Sequence, residues 1–210
     1  MYKVVGIPGS RLTRVSWMLE ELGRIYVIEK AMPQSEAITQ LNPSGKGPVL
    51  LDTHFESPRI VIDSAAICSY LADRHPEANM TAEPGSLERA EIDSWLHFVQ
   101  CDLEAPLWLK AKHNFILPEN MRLNVSEVTK FEFNNAIAAM DARLGNKEFA
   151  IGDRFTAADI LLGHAGSWAR NAKFEIEFER VNAYLDRVLA RPALAAARER
   201  DAQFKRDGGT

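Results

Sequence analysis

The first 75 residues carry a pattern of apolar and polar positions that alternates between strands and helices. Residues 2–7 are apolar and β-branched, which is typical of a buried strand, and Pro8-Gly9 ends it. Apolar residues then recur at helical spacing from Leu12 to Leu22, and Gly23 is a helix stop signal. Further elements are predicted as a strand at 26–31, a short helix at 35–41, strands at 49–51 and 59–62, and a helix at 63–74. The order β-α-β-α-β-β-α predicts a compact α/β unit with a mixed sheet.

Residues 77–85 separate this unit from a second part of the chain that has only helical patterns. The segment contains a proline, a glycine and few apolar side chains, which is typical of a linker. Beyond it apolar residues recur at helical spacing, and no segment has a convincing strand pattern. We therefore predict domains at 1–76 and 86–210, the second of them all-α, with a disordered tail at 207–210.

Two features of the second part are locally specific. A helix is predicted at 126–144, and Pro106 is expected to kink or end the helix that precedes it. Thr156 and Asp159 form a capping box, in which the hydroxyl accepts from the Asp159 N–H and the carboxylate accepts from the Thr156 N–H. The pattern predicts two more helices, at 178–190 and 193–200.

The chain has 210 residues, of which 46% are hydrophobic and 26% are charged, and its net charge is −4. This composition is that of an ordinary globular protein. No basic tract is present, so we expect no nucleic acid partner. No apolar run is long enough to cross a bilayer, and none at the start has the length of a secretory signal, so we expect no membrane association. Two cysteines do not make a disulfide framework, and we expect a cytoplasmic location.

Neither cysteine is expected to bind a metal. Cys68 lies between Ile67 and Tyr70 and is most simply a core thiol. His97 and Cys101 are four residues apart on one predicted helix and could supply half of a metal site. Because no further ligands are evident, we predict no metal and expect both side chains to pack in the interior.

Polar groups collect at the ends of two elements in the first unit. Ser10 lies between the first strand and the first helix, beside helical N–H groups whose partial positive charge favours an anion. At the start of the third helix, Asp63 could bind an ammonium group and Ser64 could offer a hydroxyl to a carboxylate. The alternative for each of the three residues is plain helix capping.

A loop rich in proline and glycine, Asn42-Pro43-Ser44-Gly45-Lys46-Gly47-Pro48, leads into the third strand. An X–Pro bond is the peptide bond that becomes cis at low cost. If the bond between Gly47 and Pro48 is cis, the bend would turn the Gly47 backbone groups outward, toward an extended ligand backbone. Lys46 would supply a cation beside them. The alternative is a strand entry without function.

Together these motifs resemble the cytosolic glutathione S-transferases, in particular bacterial-like members of the serine type. Residues 10–22 are similar to the family's first helix, residues 42–50 to its Asn-Pro-x-Gly-x-x-Pro-x-Leu loop, and Asp63-Ser64 to its acidic-Ser pair. The Thr156/Asp159 box is similar to that of its second domain. The resemblance implies a thioredoxin-like domain, then a helical domain that carries the acceptor-substrate pocket, and a homodimer.

The resemblance also implies how glutathione would be bound. Asp63 and Ser64 would hold its γ-glutamyl end, and Gly47, before the expected cis Pro48, would pair with the backbone of its cysteinyl unit. Lys46 occupies a position near the glycyl carboxylate. The chain departs from the family at Gly47, where Val or Ile is usual, and a flexible glycine would loosen the site.

The catalytic group implied by the resemblance is Ser10, which precedes Arg14 by four residues as in the serine-type members. Thr13 is the second candidate, whereas Tyr2 opens its strand far from the relevant end. A free thiol has a pKa of about 8.5, and only the thiolate is a good nucleophile, so a hydroxyl that donates to sulfur would favour the reactive form.

The function implied is conjugation of glutathione, a co-substrate, to a small hydrophobic electrophile in detoxification. Two alternatives stay open. One is a glutathione-dependent isomerase, peroxidase or dehalogenase on the same fold, and the other is a binding protein that kept the fold without catalysis.

Overall fold

The computed structural model describes residues 1–206, and side chains up to residue 203. The strands are β1 (Tyr2–Gly6), β2 (Tyr26–Lys30), β3 (Val49–Asp52) and β4 (Arg59–Ile62). The helices are α1 (Leu12–Glu21), α2 (Glu36–Thr39), α3 (Ser64–Arg74), α4 (Leu87–Phe98), α5 (Ala105–Ala111), α6 (Ser126–Leu144), α7 (Ala157–Asn171), α8 (Glu179–Leu189) and α9 (Pro192–Arg206). The predicted tail at 207–210 lies outside the described residues.

The four strands form one mixed sheet in the order β2-β1-β3-β4. β1 is parallel to β2, whereas the pairs β1–β3 and β3–β4 are antiparallel. This confirms the predicted fold class of an α/β part with a mixed sheet followed by helices. In the observed register Val5 lies opposite Val49, and Val49 lies opposite Ile62. The end of β1, the start of β3 and the end of β4 therefore lie at one edge of the sheet.

Helix α1 is buried on all sides. Every residue from Leu12 to Leu19 is buried, including the polar residues Thr13 and Arg14. A helix on the surface of a domain normally buries only one stripe, so complete burial requires neighbours on several sides. Here α1 packs against β1, α3 and α9.

The contacts divide the chain into two units. Of the described residues, the first contains 1–81 and 190–206, and the second contains 82–189. The structure differs here from the predicted helical domain at 86–210, because α9 packs along α1. The guanidinium of Arg191 makes two hydrogen bonds to the Glu21 carboxylate, at 2.6 and 2.7 Å. Sequence periodicity identifies an amphipathic helix but does not say which partner covers its apolar face.

The second unit is built from helices α4–α8. α4 continues through a π-helical turn, Val99–Leu103, and Pro106 lies in the first turn of α5, where its missing N–H costs nothing. Helix α6 has the predicted bounds. The predicted capping box is confirmed at the start of α7, and Tyr184 also donates to the Asp159 carboxylate at 2.7 Å.

The prediction that His97 and Cys101 pack in the interior is wrong. Both residues are exposed. The buried face of this helix is formed by Ile92, Trp95, Val99 and Leu103, and positions 97 and 101 lie on a different face. Within residues 1–206 no cluster of His, Cys, Asp and Glu side chains is arranged to hold a metal ion. In the same range no helix combines the length and the apolar character needed to cross a membrane.

Candidate active site

The loop between β1 and α1 is closed by Ser10. Its backbone N–H and its hydroxyl both donate to the carbonyl of Ile7, at 3.3 and 2.6 Å, and its Oγ accepts from the Leu12 N–H at 3.3 Å. Ser10 is half-buried and stands next to the first turn of α1, where N–H groups favour negative charge. To donate to a ligand atom, the hydroxyl would exchange its bond with the Ile7 carbonyl.

Thr13, the second candidate hydroxyl, has a different environment. Its side chain is buried, and its Oγ1 donates to Oδ2 of Asp201 on α9 at 2.6 Å. The Gly9 N–H donates to the same carboxylate oxygen at 3.0 Å. Of the two candidates, Ser10 is the one that is partly exposed. Asp201 was not identified from the sequence, because it is 188 residues from Thr13 and belongs to no recognisable motif.

The loop before β3 is shaped by a buried asparagine. The side-chain carbonyl of Asn42 accepts from the Ser44 N–H at 3.1 Å, and its amide donates to the Lys46 carbonyl at 2.7 Å. The peptide bond between Gly47 and Pro48 is cis, with Pro48 buried and Gly47 exposed. The side chain of Lys46 is also on the exposed side of the loop.

The Ser10 loop and the loop at Gly47-Pro48 form two corners of the candidate site, and the third corner, Asp63-Ser64, lies between β4 and α3. Asp63 has φ 72° and ψ 131°, and one carboxylate oxygen accepts from the N–H groups of Ala65 and Ala66 at 2.9 and 3.2 Å. A positive φ is uncommon for a residue other than glycine, and such conformations concentrate at functional sites. Asp63 is exposed, so its carboxylate caps the helix and also faces solvent.

Ser64 is held by a residue of α1. The guanidinium of Arg14 donates to the Ser64 hydroxyl oxygen at 3.2 Å, and both side chains are buried. In this bond the serine oxygen is the acceptor, so its own hydrogen can be donated to a ligand carboxylate. Arg14 thus links α1 to the start of α3. The sequence indicated Arg14 only through its spacing from Ser10.

The sheet register brings the three corners to one edge. Val5 precedes the Ser10 loop, Val49 follows Pro48, and Ile62 precedes Asp63, and these three residues lie opposite one another across the sheet. Neighbouring strands are about 4.8 Å apart, so β1 and β4 are separated by about 10 Å. An extended chain of three residues spans about the same distance. The edge therefore has the width for one extended tripeptide.

The glycine at position 47 has room for a side chain. A Cβ at Gly47 would lie 3.5 Å from the Gly6 Cα and the Val5 carbonyl oxygen, and 3.6 Å from Cδ1 of Ile38, which is ordinary van der Waals contact. Gly45 differs, since its φ is 68° and a Cβ there would collide with the Gln34 side chain. The loop therefore requires a glycine at 45 and does not require one at 47.

For the glutathione site that the resemblance implies, we expect Gly47→Ala to lower the KM for glutathione about two- to fivefold. Alanine removes backbone freedom worth about 0.4–1 kcal/mol, and a loop that is already ordered loses less entropy when a ligand binds. Steady-state kinetics with glutathione as the varied substrate measure the effect. Gly45→Ala is the contrasting variant and should raise the KM and lower the melting temperature. A higher KM in Gly47→Ala would contradict the prediction.

The two cysteines differ in reactivity. Cys68 is fully buried, and burial raises the pKa of its thiol to about 12 despite the nearby Arg14 guanidinium. This burial confirms the predicted core thiol. We expect an alkylating reagent to modify the exposed Cys101 in the folded protein and to reach Cys68 only after unfolding. Peptide mass spectrometry before and after denaturation measures both sites, and alkylation of Cys68 in the folded protein would contradict this expectation.

The four-stranded mixed sheet, followed by the helices of the second unit, defines a class of protein with a thioredoxin-like part and a helical part after it. Two family models match the chain: "Glutathione S-transferase, N-terminal domain" at residues 4–79 and "Glutathione S-transferase, C-terminal domain" at residues 132–187. The chain belongs to the glutathione S-transferase family.

Individual relatives agree with this assignment. Glutathione S-transferase 3 of Schizosaccharomyces pombe is 30% identical over 173 residues, which cover 73% of this chain and 68% of that protein. The structure of a glutathione transferase from Methylococcus capsulatus has a TM-score of 0.82 at 23% identity and covers 97% of this chain and 100% of its own. A sphingomonad glutathione S-transferase complexed with glutathione has a TM-score of 0.78 at 24% identity, covering 95% and 98%. At these identities the two structures support the fold alone.

Proposed function

We propose that this protein is a glutathione transferase that uses Ser10 to stabilise the thiolate of glutathione and conjugates it to a small hydrophobic electrophile. The observation that carries the proposal is the alignment of Val5, Val49 and Ile62, which brings three separate corners of the chain to one edge. Family membership supplies the chemical class of the ligand.

The chemistry of each corner suits one part of glutathione. The γ-glutamyl ammonium would pair with the exposed carboxylate of Asp63, and the γ-glutamyl carboxylate would accept from the Ser64 hydroxyl, which Arg14 orients. The backbone of Gly47 would bond to the cysteinyl unit beside Pro48. The side chain of Lys46 would lie near the glycyl carboxylate. These are the roles that the resemblance implied.

Sulfur would then lie at the remaining corner, beside Ser10 and the start of α1. The thiol proton passes to solvent, and the Ser10 hydroxyl donates a hydrogen bond to the thiolate. A sulfur lone pair attacks the electrophilic carbon, a C–S bond forms, and the leaving group departs with its bonding electrons. Lowering the thiol pKa by about two units requires roughly 2.7 kcal/mol. One charge-assisted hydrogen bond together with a helix N-terminus supplies about that amount.

Two measurements test the proposal. The protein should be retained on immobilised glutathione and should turn over a generic aryl halide, with loss of the halide measured against a reaction without enzyme. Binding without turnover of the aryl halide or of a peroxide would favour the binding-protein alternative. Turnover of a peroxide or a haloalkane but not of the aryl halide would favour a different reaction type on this fold. Absence of both binding and turnover would overturn the proposal.

We further propose that the protein acts as a homodimer in the cytoplasm, with acceptor-binding residues supplied by the helical unit. β4 is the outermost strand of the sheet, next to β3, and it exposes Ile60 and Ile62, which are 48% and 42% accessible. Proteins normally cover an outermost strand that exposes apolar side chains. Both cysteines are free thiols, which fits a reducing compartment. Light scattering should give twice the monomer mass, and Ile60→Asp should shift the equilibrium toward the monomer.

A further inference from the structure

A carboxylate from the last helix binds the loop that carries Ser10. Asp201 of α9 is 5% exposed, and its Oδ2 accepts from the Gly9 N–H at 3.0 Å and from the Thr13 hydroxyl at 2.6 Å. Hydrogen bonds to a charged acceptor are roughly twice as strong as those between neutral groups. The two donors belong to residues on either side of Ser10, so the carboxylate fixes the chain before and after it.

Two ion pairs at the far end of α1 add to the contacts between the two helices. Arg191, at the start of α9, binds the Glu21 carboxylate through two nitrogens, and Arg200 pairs with Glu20 at 2.6 Å. Both partners lie in the last turn of α1, whereas Thr13 lies in its first turn. The contact of Asp201 with the loop is therefore separate from these ion pairs, which lie at the opposite end of α1.

We propose that Asp201 is a positioning residue, which holds Gly9 and Thr13 so that the Ser10 hydroxyl stands where the glutathione sulfur would bind. This inference rests on the proposed function. The Ser10 hydroxyl donates to the Ile7 carbonyl and accepts from the Leu12 N–H, and both groups belong to the same loop. A change in the shape of the loop therefore changes the direction of the hydroxyl. Asp201 does not touch the ligand in this scheme and acts through Ser10.

The first experiment compares Asp201→Ala and Asp201→Asn with the wild type. Alanine removes the acceptor, whereas asparagine keeps an oxygen for the two donors and removes the charge. We expect Asp201→Ala to lower kcat about tenfold, to raise the thiol pKa of bound glutathione, and to change the KM for glutathione less than twofold, given a strong charged hydrogen bond. Asp201→Asn should restore most of kcat. A purely structural role would not move the thiol pKa.

A double mutant tests whether the effect passes through Ser10. If Asp201 acts by positioning that hydroxyl, adding Asp201→Ala to a Ser10→Ala background should change the thiol pKa and kcat little further. Fully multiplicative effects on kcat would overturn the proposal. An unchanged thiol pKa in a folded Asp201→Ala protein would overturn it as well.

The matched control is Arg191→Ala, which breaks a contact between α9 and α1 at the opposite end of α1. It should lower the melting temperature without changing the thiol pKa. If Asp201→Ala does not fold, Thr13→Val replaces it, since this variant removes one of the two donors and keeps the side-chain shape. Thr13→Val should then raise the thiol pKa in the same direction, and an unchanged pKa would overturn the proposal.

Hydrogen exchange separates this inference from the proposed function. In the absence of any ligand, Asp201→Ala or Thr13→Val should increase amide exchange in residues 7–13, and Arg191→Ala should not. Faster exchange there in a protein whose wild type neither binds nor turns over glutathione would refute the proposed function while keeping Asp201 as the residue that orders the loop. Unchanged exchange in these residues would refute the positioning role itself.

Discussion

Replacing Ser10 by alanine is expected to reduce the rate of glutathione conjugation by a factor of several tens at pH ~6.5. The structure places the Ser10 hydroxyl, half-buried, at the first turn of α1. Without this donor, the thiol of bound glutathione should return toward its ordinary pKa of about 8.5. At a pH about two units lower, only about one molecule in a hundred would then be ionised.

The pH profile distinguishes this mechanism from a general loss of activity. Because the loss comes from protonation of the thiol, kcat/KM of Ser10→Ala should rise with pH through the shifted pKa and approach the wild-type value at alkaline pH. A thiolate absorbance titration of the enzyme–glutathione complex measures the same pKa directly. An identical titration in the two proteins would show that Ser10 is not the donor.

Two controls accompany the measurement. Ser10 also accepts from the Leu12 N–H at 3.3 Å, so a melting curve must show that Ser10→Ala remains folded. Thr13→Val is the matched hydroxyl deletion three residues away. Since the Thr13 hydroxyl donates to Asp201 and is buried, we expect a smaller effect on the thiol pKa than in Ser10→Ala. A larger effect would make Thr13 the donor to sulfur.

Much of the fold can be predicted from local sequence signals. The spacing of apolar residues identifies α1 and α6, and the Thr156/Asp159 box fixes the start of α7, because a cap depends on residues three apart. The order of elements in the first unit also follows from periodicity and turn residues. Periodicity does not identify which element covers each apolar face, so the sequence predicts α9 as part of the helical domain, whereas in the structure it packs against α1.

In the candidate site, too, local sequence signals identify some residues, and contacts between distant residues are missed. Ser10, Gly47 and Asp63 were found because each stands at the end of an element, where turn and cap residues have recognisable patterns. The bond of Ser10 to Ile7 depends on the turn geometry, and the bonds of Asp201 depend on how α9 is placed on α1. Such contacts between distant residues follow from packing in three dimensions, to which a single sequence gives no direct signal.

The carboxylate of Asp63 offers a test of ligand binding that leaves the fold intact. Asparagine keeps the oxygen that accepts from Ala65 and Ala66, and it tolerates the positive φ observed at this position. It removes only the charge. We therefore expect Asp63→Asn to raise the KM for glutathione about ten- to hundredfold, since a hydrogen bond to a charged group is worth about 1.5–3 kcal/mol. The melting temperature should change little.

A shorter ligand shows which part of glutathione Asp63 contacts. Cysteinylglycine lacks the γ-glutamyl unit, so it should bind the wild type and Asp63→Asn equally, although more weakly than glutathione binds the wild type. Because Asp63 is exposed, the difference between the two proteins for glutathione should also shrink as salt is added. Equal losses for both ligands would mean that the substitution disturbs the site as a whole. An unchanged KM would place the γ-glutamyl ammonium elsewhere and would remove one of the three corners at which we propose that the tripeptide binds.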